Sequence, residues 1–152
     1  MKPEFPRPVT DFLDSIPHRP PFVWIDEVTS LTEDGGVCQV TLKPDGLYLG
    51  PEGLRRSSYL EFMAQGFAYV RACQTAFGLS PARPAPKRAF LVSIQDAEYS
   101  EDEKALRPVA GDRLKIEIRG AREIGPITLF SATVRDQVDA QLAFARLKVF
   151  SE

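Results

Sequence analysis

The segment SYLEFMAQGFAYVRACQTAFGL occupies residues 58–79. Its apolar side chains fall on nearly every face of a helix instead of forming one stripe. A helix that is apolar almost all round belongs in the interior of a protein, where neighbouring elements cover each side. The segment therefore predicts one long helix, buried by the rest of the chain.

Strand-like runs lie on both sides of this helix. Alternating apolar and polar residues, or short runs of β-formers bounded by turn residues, are typical of strands. The predicted strands are Phe22–Ile25, Val37–Lys43, Ala89–Ile94, Leu114–Arg119, Ile127–Val134 and Leu142–Phe150. Asp34-Gly35-Gly36 predicts a hairpin turn before the second strand, and the apolar run from Ala89 predicts a buried strand. The pattern indicates an α+β protein, an antiparallel sheet wrapped around one long buried central helix.

Composition excludes several classes of protein. The chain has 152 residues, 43% of them hydrophobic, which suits a single domain over 1–152. A net charge of −2 argues against nucleic-acid binding. No apolar run approaches the ~18 residues that span a bilayer, and Met1–Pro8 lacks the features of a signal peptide. Two cysteines and one histidine make no metal cluster, so we expect a soluble, cytoplasmic protein without a metal.

Three blocks of sequence resemble FabZ-type (3R)-hydroxyacyl-acyl-carrier-protein dehydratases. Residues 16–28 read IPHRPPFVWIDEV, residues 61–65 read EFMAQ and residues 107–114 read RPVAGDRL. The blocks occur in the family's order and extend over nearly the whole chain. The resemblance implies the hotdog fold, a dimer of long antiparallel sheets that each wrap a central helix. The dehydratase-like hotdog proteins of aryl-polyene gene clusters are similar through the same Pro-His-Arg block and helix glutamate, and are the closer comparison.

The resemblance also implies an activity in fatty-acid or polyene-type biosynthesis. Such dehydratases remove the C2 proton of a 3-hydroxyacyl thioester and protonate the departing hydroxyl, using a histidine and a helix carboxylate. The family's histidine lies fourteen positions before the carboxylate, and that position here is Leu47. The family's Pro-Gly before the helix is replaced by Arg55-Arg56. Leucine transfers no proton, so either the chain is a weak or inactive relative or another group has taken the role.

Glu61 and His18 are the predicted catalytic pair. Imidazole titrates near ~6.5 and can act as acid or base, and His18 is the only histidine. As an alternative, His18 would bond to the backbone and shape its Pro-rich turn. Ser58 and Glu61 also have the spacing of a capping box, which would satisfy amides at the helix start. A buried catalytic carboxylate would instead titrate unusually high.

Further residues are predicted to contact the substrate or its carrier. Gln65 lies on the same helix face as Glu61, where it would orient the carboxylate or fill a polar notch. The predicted substrate-binding residues are Gln65, Arg56 and Ser57, together with backbone amides at the helix start that would hold the thioester oxygen. The substrate would be carried on the phosphopantetheine of a carrier protein or on coenzyme A, and we expect no other cofactor.

Charge favours a docking surface for an acyl carrier protein. Residues 53–88 contain six cations and one acid, a net charge of +5, whereas residues 89–104 have a net charge of −4. A basic rim would attract the acidic helix of a carrier, although a solvated loop would look the same. The predicted docking residues are Arg55, Arg83, Lys87 and Arg88.

Three functional hypotheses follow. The first is a dehydratase that acts on a carrier-bound acyl thioester, as a homodimer or as a heterodimer with another hotdog subunit. The second is an inactive hotdog subunit that pairs with an active dehydratase through its sheet edge. The third is an acyl thioesterase in which Glu61 activates water. Aromatic residues could line an acyl tunnel or simply form the core; they are Trp24, Phe62, Phe67, Tyr69 and Phe77.

Overall fold

One large antiparallel sheet and one long α-helix make up most of the molecule. The computed structural model describes residues 4–79, 89–100 and 107–151. The strands are β1 (Arg7–Pro8), β2 (Glu27–Thr32), β3 (Gly35–Thr41), β4 (Leu49–Gly50), β5 (Gly53–Leu54), β6 (Ala89–Tyr99), β7 (Arg113–Ile124), β8 (Ile127–Arg135) and β9 (Gln141–Ser151). A 3-10 helix spans Val9–Ser15, and the helix α1 spans Arg56–Ala76.

The sheet has seven strands in the order β1-β2-β3-β7-β8-β9-β6, and every neighbouring pair is antiparallel. Strands β4 and β5 form a separate small pair just before α1. The helix packs against β2, β3, β7 and β8. Alternate residues of these strands face it; on β7 they are Leu114, Ile116 and Ile118, all buried. The predicted architecture, a sheet around one buried helix, is confirmed.

Gly66 sets how closely the helix approaches the sheet. A Cβ atom at this position would lie 2.9 Å from Cγ2 of Ile116, closer than two carbon atoms normally come. The Sγ atom of Cys38 on β3 lies 3.7 Å from the Gly66 carbonyl oxygen, to which it donates. One residue further, the ring of Phe67 stacks on Phe130 of β8 with centroids 4.3 Å apart. The absence of a side chain at Gly66 therefore allows α1 to rest directly on β7.

The residues Phe22–Ile25, predicted as a strand, form an extended loop without ladder hydrogen bonds. Their backbone is paired with a side chain instead. The Trp24 amide donates to Oε1 of Gln65 at 2.9 Å, and Nε2 of Gln65 donates to the Phe22 carbonyl at 2.9 Å. Because Gln65 takes these backbone groups, the ladder begins only at Glu27.

The strand predicted from Ala89 exists, but the expectation that it is buried is wrong for this chain. Strand β6 lies at one end of the sheet, and β9 is its neighbour there among the described residues. Four of its large apolar side chains are exposed: Phe90, Leu91, Val92 and Ile94. The sequence pattern correctly indicates that the strand is apolar. Burial of these side chains would need another surface packed against them, and the described residues of this chain do not supply one.

The aromatic residues near the start of α1 pack against one another. Trp24, Tyr48 and Phe62 form a triangle with ring centroids 5.3 to 5.4 Å apart. Phe62 and Tyr69 are fully buried. Each of these side chains belongs to the hydrophobic core or packs directly against it.

Candidate active site

His18 and Glu61 meet at the surface of α1. His18 lies in the loop between the 3-10 helix and β2, directly before a turn that the Phe22 amide closes by donating to the Arg19 carbonyl at 2.8 Å. Its Nε2 atom lies 3.3 Å from Oε1 of Glu61. The imidazole is 26% exposed and the carboxylate 39% exposed, so substrate can reach the pair. The two predicted catalytic residues are thus brought together within one chain.

Gln65 forms a hydrogen bond with the Glu61 member of this pair. It lies one helical turn after Glu61 and is fully buried. Its Nε2 atom donates to Oε1 of Glu61 at 2.8 Å and to the Phe22 carbonyl, while its Oε1 accepts from the Trp24 amide. Both amide hydrogens are therefore committed to protein groups. Nε2 of Gln65 thus bonds Glu61 directly, whereas the substrate contact expected of Gln65 stays a prediction.

The pKa of Glu61 is lowered from its usual value. The largest cause is the hydrogen-bonding contact with His18, and the bond from Gln65 acts in the same direction, whereas partial burial opposes both. The elevated pKa that would mark a buried catalytic carboxylate is therefore not found at Glu61, because stabilising contacts to the carboxylate outweigh its desolvation. Glu61 is an anion at neutral pH.

The two carboxylate oxygens of Glu61 are not equivalent. Oε1 receives both the His18 contact and the Gln65 hydrogen bond. Within the described parts of the chain, Oε2 has no hydrogen bond or ion pair. One oxygen thus holds the carboxylate in place, and the other is available to a reactant.

The predicted capping box at Ser58 is wrong. Helix α1 begins at Arg56, earlier than the pattern indicated, with Arg55 as its N-cap residue and no side-chain cap. Ser58 is then the third residue of the helix, too far inside to cap it. Its hydroxyl instead donates to the Tyr48 carbonyl at 3.1 Å. Glu61 is consequently free for its contacts with His18 and Gln65.

The first turn of α1 presents polar and cationic groups to solvent. Arg55, Arg56 and Ser57 are all exposed. Nε of Arg55 donates to the Leu49 carbonyl at 3.3 Å, and the Arg56 guanidinium lies over the ring of Tyr99, 5.6 Å from its centroid. The other predicted docking residues, Arg83, Lys87 and Arg88, lie outside the described residues.

Leu47 stands where the resembled family has its histidine. It lies in the loop between β3 and β4 and is 47% exposed. The next residue, Tyr48, is buried in the aromatic triangle, and its hydroxyl accepts a hydrogen bond from the Lys43 amide at 2.7 Å. Leu47 therefore does not plug the site, and it offers no group for proton transfer.

The second ring nitrogen of His18 differs from the first. Nδ1 is buried and has no hydrogen-bond partner within residues 4–79, 89–100 and 107–151. Proton exchange between His18 and a reactant therefore has to proceed through Nε2. In the same described ranges, no group of three or more His, Cys, Asp or Glu could hold a metal ion. No helix there is long and apolar enough to cross a bilayer.

Two contributors to the site have no signal in the local sequence. The bonds from Gln65 to the backbone of Phe22 and Trp24 join segments that are far apart along the chain. Arg19, which bonds the backbone around His18, was visible only as part of the Pro-His-Arg block. Periodicity and capping rules concern neighbours in sequence, so neither role could be read from them.

Comparison with solved structures shows the fold. The ApeI:P dehydratase heterocomplex from Xenorhabdus doucetiae matches with a TM-score of 0.77 and 19% identity, over 96% of this chain and 91% of that chain. A hypothetical thioesterase with coenzyme A from Streptococcus pneumoniae matches with a TM-score of 0.63 and 11% identity, over 95% of this chain and 96% of that one. The E. coli PaaI protein from the phenylacetic acid degradation operon matches with a TM-score of 0.57 and 17% identity, over 81% and 80%.

The family is shown by sequence. A comparison with curated proteins gives no match. The model of the ApeP-like family, described as ApeP dehydratase, matches residues 10–152. This range includes both members of the His18–Glu61 pair and nearly the whole chain. The chain has the hotdog fold and belongs to the ApeP-like dehydratase family.

Proposed function

We propose that this protein dehydrates a (3R)-3-hydroxyacyl thioester carried on an acyl carrier protein. The observation that carries the proposal is the 3.3 Å contact between His18 Nε2 and Glu61 Oε1. A dehydratase needs one group that takes a proton and one that gives a proton, both within reach of the same substrate. Membership of the ApeP-like dehydratase family supports this reaction class.

The pair can complete the reaction without a net change in its own protonation. Glu61 takes the C2 proton through Oε2, the C2–H electrons form the C2=C3 bond, and the C3–O bond breaks. His18, which enters the cycle as imidazolium, gives its Nε2 proton to the departing hydroxyl, which leaves as water. Glu61 then releases the proton on Oε2 to solvent and His18 regains one at Nε2, which restores the starting state. The lowered pKa of Glu61 favours the anion that this cycle needs at its start.

The start of α1 suits the thioester carbonyl. The first amides of a helix have no acceptor within the helix, and they attract negative charge. We propose that the amides of Arg56 and Ser57 polarise the thioester carbonyl, which makes the C2 proton more acidic. The reaction as proposed uses no cofactor beyond the phosphopantetheine of the carrier.

The carrier would dock beside this turn. Arg55 and Arg56 are exposed there, and Arg107 is exposed close to Glu52, with 3.7 Å between the charged groups. Acyl carrier proteins present an acidic helix, so charge complementarity would steer them to this surface. Arg55→Glu with Arg107→Glu should raise KM for a carrier-bound substrate and leave KM for a short pantetheine thioester unchanged.

We also propose that β6 pairs with a second hotdog subunit. An unpaired strand edge with exposed apolar side chains tends to associate with another chain. Strand β6 has these properties within the described residues, at its Phe90, Leu91, Val92 and Ile94 side chains. The related structure from Xenorhabdus doucetiae is a dehydratase heterocomplex, which supports a second hotdog chain as the partner.

The test is incubation of the purified protein with a 3-hydroxyacyl carrier protein, followed by mass spectrometry of the carrier. Loss of one water from the acyl group, abolished by Glu61→Gln, supports the proposal. Release of free carrier thiol overturns it in favour of a thioesterase. Dehydration that appears only after a second hotdog chain is added, and that Glu61→Gln does not reduce, overturns it in favour of a non-catalytic subunit.

A further inference from the structure

The guanidinium of Arg19 folds back onto the segment that precedes it. Its Nη1 atom lies 2.9 Å from the Leu13 carbonyl oxygen, 2.9 Å from that of Ile16 and 2.7 Å from that of His18. Leu13 belongs to the 3-10 helix, and Ile16 is its C-cap residue. Carbonyls at the end of a helix lack partners within the helix, and a cation there is favourable. Arg19 thus ties the end of the 3-10 helix to the turn that carries His18.

The far side of this turn is held as well. The Phe22 amide closes the turn on the Arg19 carbonyl, and Gln65 bonds the backbone on either side of Val23, at Phe22 and Trp24. His18 therefore lies between two fixed points. Arg19 holds the backbone on one side of His18, and Gln65 holds it on the other.

Within the described residues, Nε2 is the one ring nitrogen of His18 that has a polar partner, and that partner is Glu61. In many functional histidines a hydrogen bond to the second ring nitrogen fixes the ring. Here Nδ1 of His18 has no such partner within the described ranges of the chain. The contact from Nε2 to Glu61 therefore depends on where the backbone of His18 places the ring, and the carbonyl of His18 is bonded by Arg19.

We infer that Arg19 is a positioning residue that keeps Nε2 of His18 on Glu61. The catalytic consequence rests on the proposed function, but the effect on the His18–Glu61 contact does not. Displacement of a reacting group by about 1 Å can cost on the order of 100-fold in rate. Loss of the guanidinium should therefore lower turnover without a change in substrate affinity.

The experiment uses the full chain, in which the imidazole resonances are assigned without ambiguity because His18 is the only histidine. The imidazole ¹⁵N and ¹H resonances of His18 are recorded for wild type, Arg19→Met, Arg19→Lys and Glu61→Gln. Arg135→Met is the control, because Arg135 likewise bonds a backbone carbonyl, that of Asp139, and its other partner is Glu117 on the sheet. Turnover and KM are measured on the same samples.

Arg19→Met should move the resonances of His18 towards their positions in Glu61→Gln, while Arg135→Met should leave them in place. Arg19→Lys retains the charge with a shorter reach and should give an intermediate displacement. We expect kcat of Arg19→Met to fall by about 10- to 100-fold with KM within about 2-fold. Wild-type resonances in a folded Arg19→Met would overturn the inference.

If Arg19→Met does not fold, Arg19→Lys decides in the same way: unchanged His18 resonances overturn the inference, and displaced ones support it. Failure of the proposed function would look different. The wild-type protein would then show no dehydration, while the resonances of His18 would still respond to Arg19→Met as they do to Glu61→Gln.

Discussion

Nε2 of His18 lies 3.3 Å from Oε1 of Glu61, and Gln65 donates a hydrogen bond to that same oxygen at 2.8 Å. Two donors from different segments thus converge on one oxygen of a half-buried carboxylate. Their convergence lowers the pKa of Glu61 and leaves Oε2 without a partner in the described residues. The proposed chemistry depends on this difference between the two oxygens, because Oε1 holds the carboxylate in place and Oε2 takes the proton.

Glu61→Gln should abolish most of the dehydratase activity. The amide has nearly the same shape but cannot take the C2 proton, and loss of a positioned general base typically costs ~10²–10⁴ in rate. We expect kcat to fall by this range with little change in KM. Initial rates of enoyl formation on a carrier-bound substrate measure the effect. A variant with wild-type kcat would remove Glu61 from the mechanism.

His18→Gln should raise the pKa of Glu61, because its largest stabilising contact is lost. In wild type the lowered pKa means that the carboxylate form stabilises the folded state above about pH 4.5, and this contribution is lost as pH falls through the lower folded value. The decline in stability below about pH 4.5 should therefore be smaller in the variant.

Urea unfolding between about pH 3 and 5 measures this difference, and ¹³C titration of the Glu61 carboxyl measures its pKa directly. A steeper acid dependence in His18→Gln, or an unchanged pKa of Glu61, would contradict the assignment of His18 as the main cause.

Gln65→Leu should both destabilise the fold and disturb the site. The substitution leaves the Trp24 amide and the Phe22 carbonyl without their partner. An unsatisfied buried group costs about 1–3 kcal/mol, and the cost is smaller at these partly exposed positions. It also removes the hydrogen bond to Glu61, so the pKa of that carboxyl should rise.

Gln74→Leu is the matched control for this change. Gln74 is another buried glutamine of α1, and its Nε2 lies 3.1 Å from the Thr32 carbonyl and 3.3 Å from that of Gly35. We expect a similar loss of stability from Gln74→Leu but no change in the pKa of Glu61. Equal effects of the two substitutions on Glu61 would show that Gln65 has no specific role in the site.

Gly66→Ala should be destabilising although alanine favours helices by ~0.5–1 kcal/mol over glycine. The added methyl would meet Cγ2 of Ile116 at 2.9 Å, and overpacking typically costs about 1–3 kcal/mol. Combination with Ile116→Ala removes the clashing methyl, so the cost of Gly66→Ala should shrink in that background. A double-mutant cycle by urea unfolding gives the coupling, and strict additivity would argue against this contact.

Val92→Arg should weaken association with the second hotdog subunit. Val92 is 53% exposed on β6, so the arginine is tolerated by the isolated chain but would place a charge in an apolar interface. Val138→Arg is the control, because Val138 is 79% exposed in the turn between β8 and β9. Sedimentation equilibrium should show dissociation for Val92→Arg alone, and equal behaviour of both variants would exclude β6 as the interface.

Much of the architecture is predictable because its signals are local. The all-round apolar character of 58–79 required a buried helix, and alternation in Leu114–Arg119 required a strand with one face on the core. Capping was predicted wrongly because α1 starts at Arg56, before Ser58, and has no side-chain cap. Glu61 and His18 were suggested by a resemblance, and their chemistry followed from the residue types.

Hydrophobic patterning along the chain is sufficient for the long helix and for the class of the fold, whereas the order of the strands in the sheet depends on pairing between distant segments. Three features could not be predicted from this patterning. They are the contact of His18 with Glu61, the hydrogen bonds of Gln65 to Phe22 and Trp24, and the exposure of β6. Each joins segments distant in the chain or depends on a surface that is left uncovered. Only the tertiary structure determines these features, because the contacts form only when the helix packs on the sheet and brings the distant segments together.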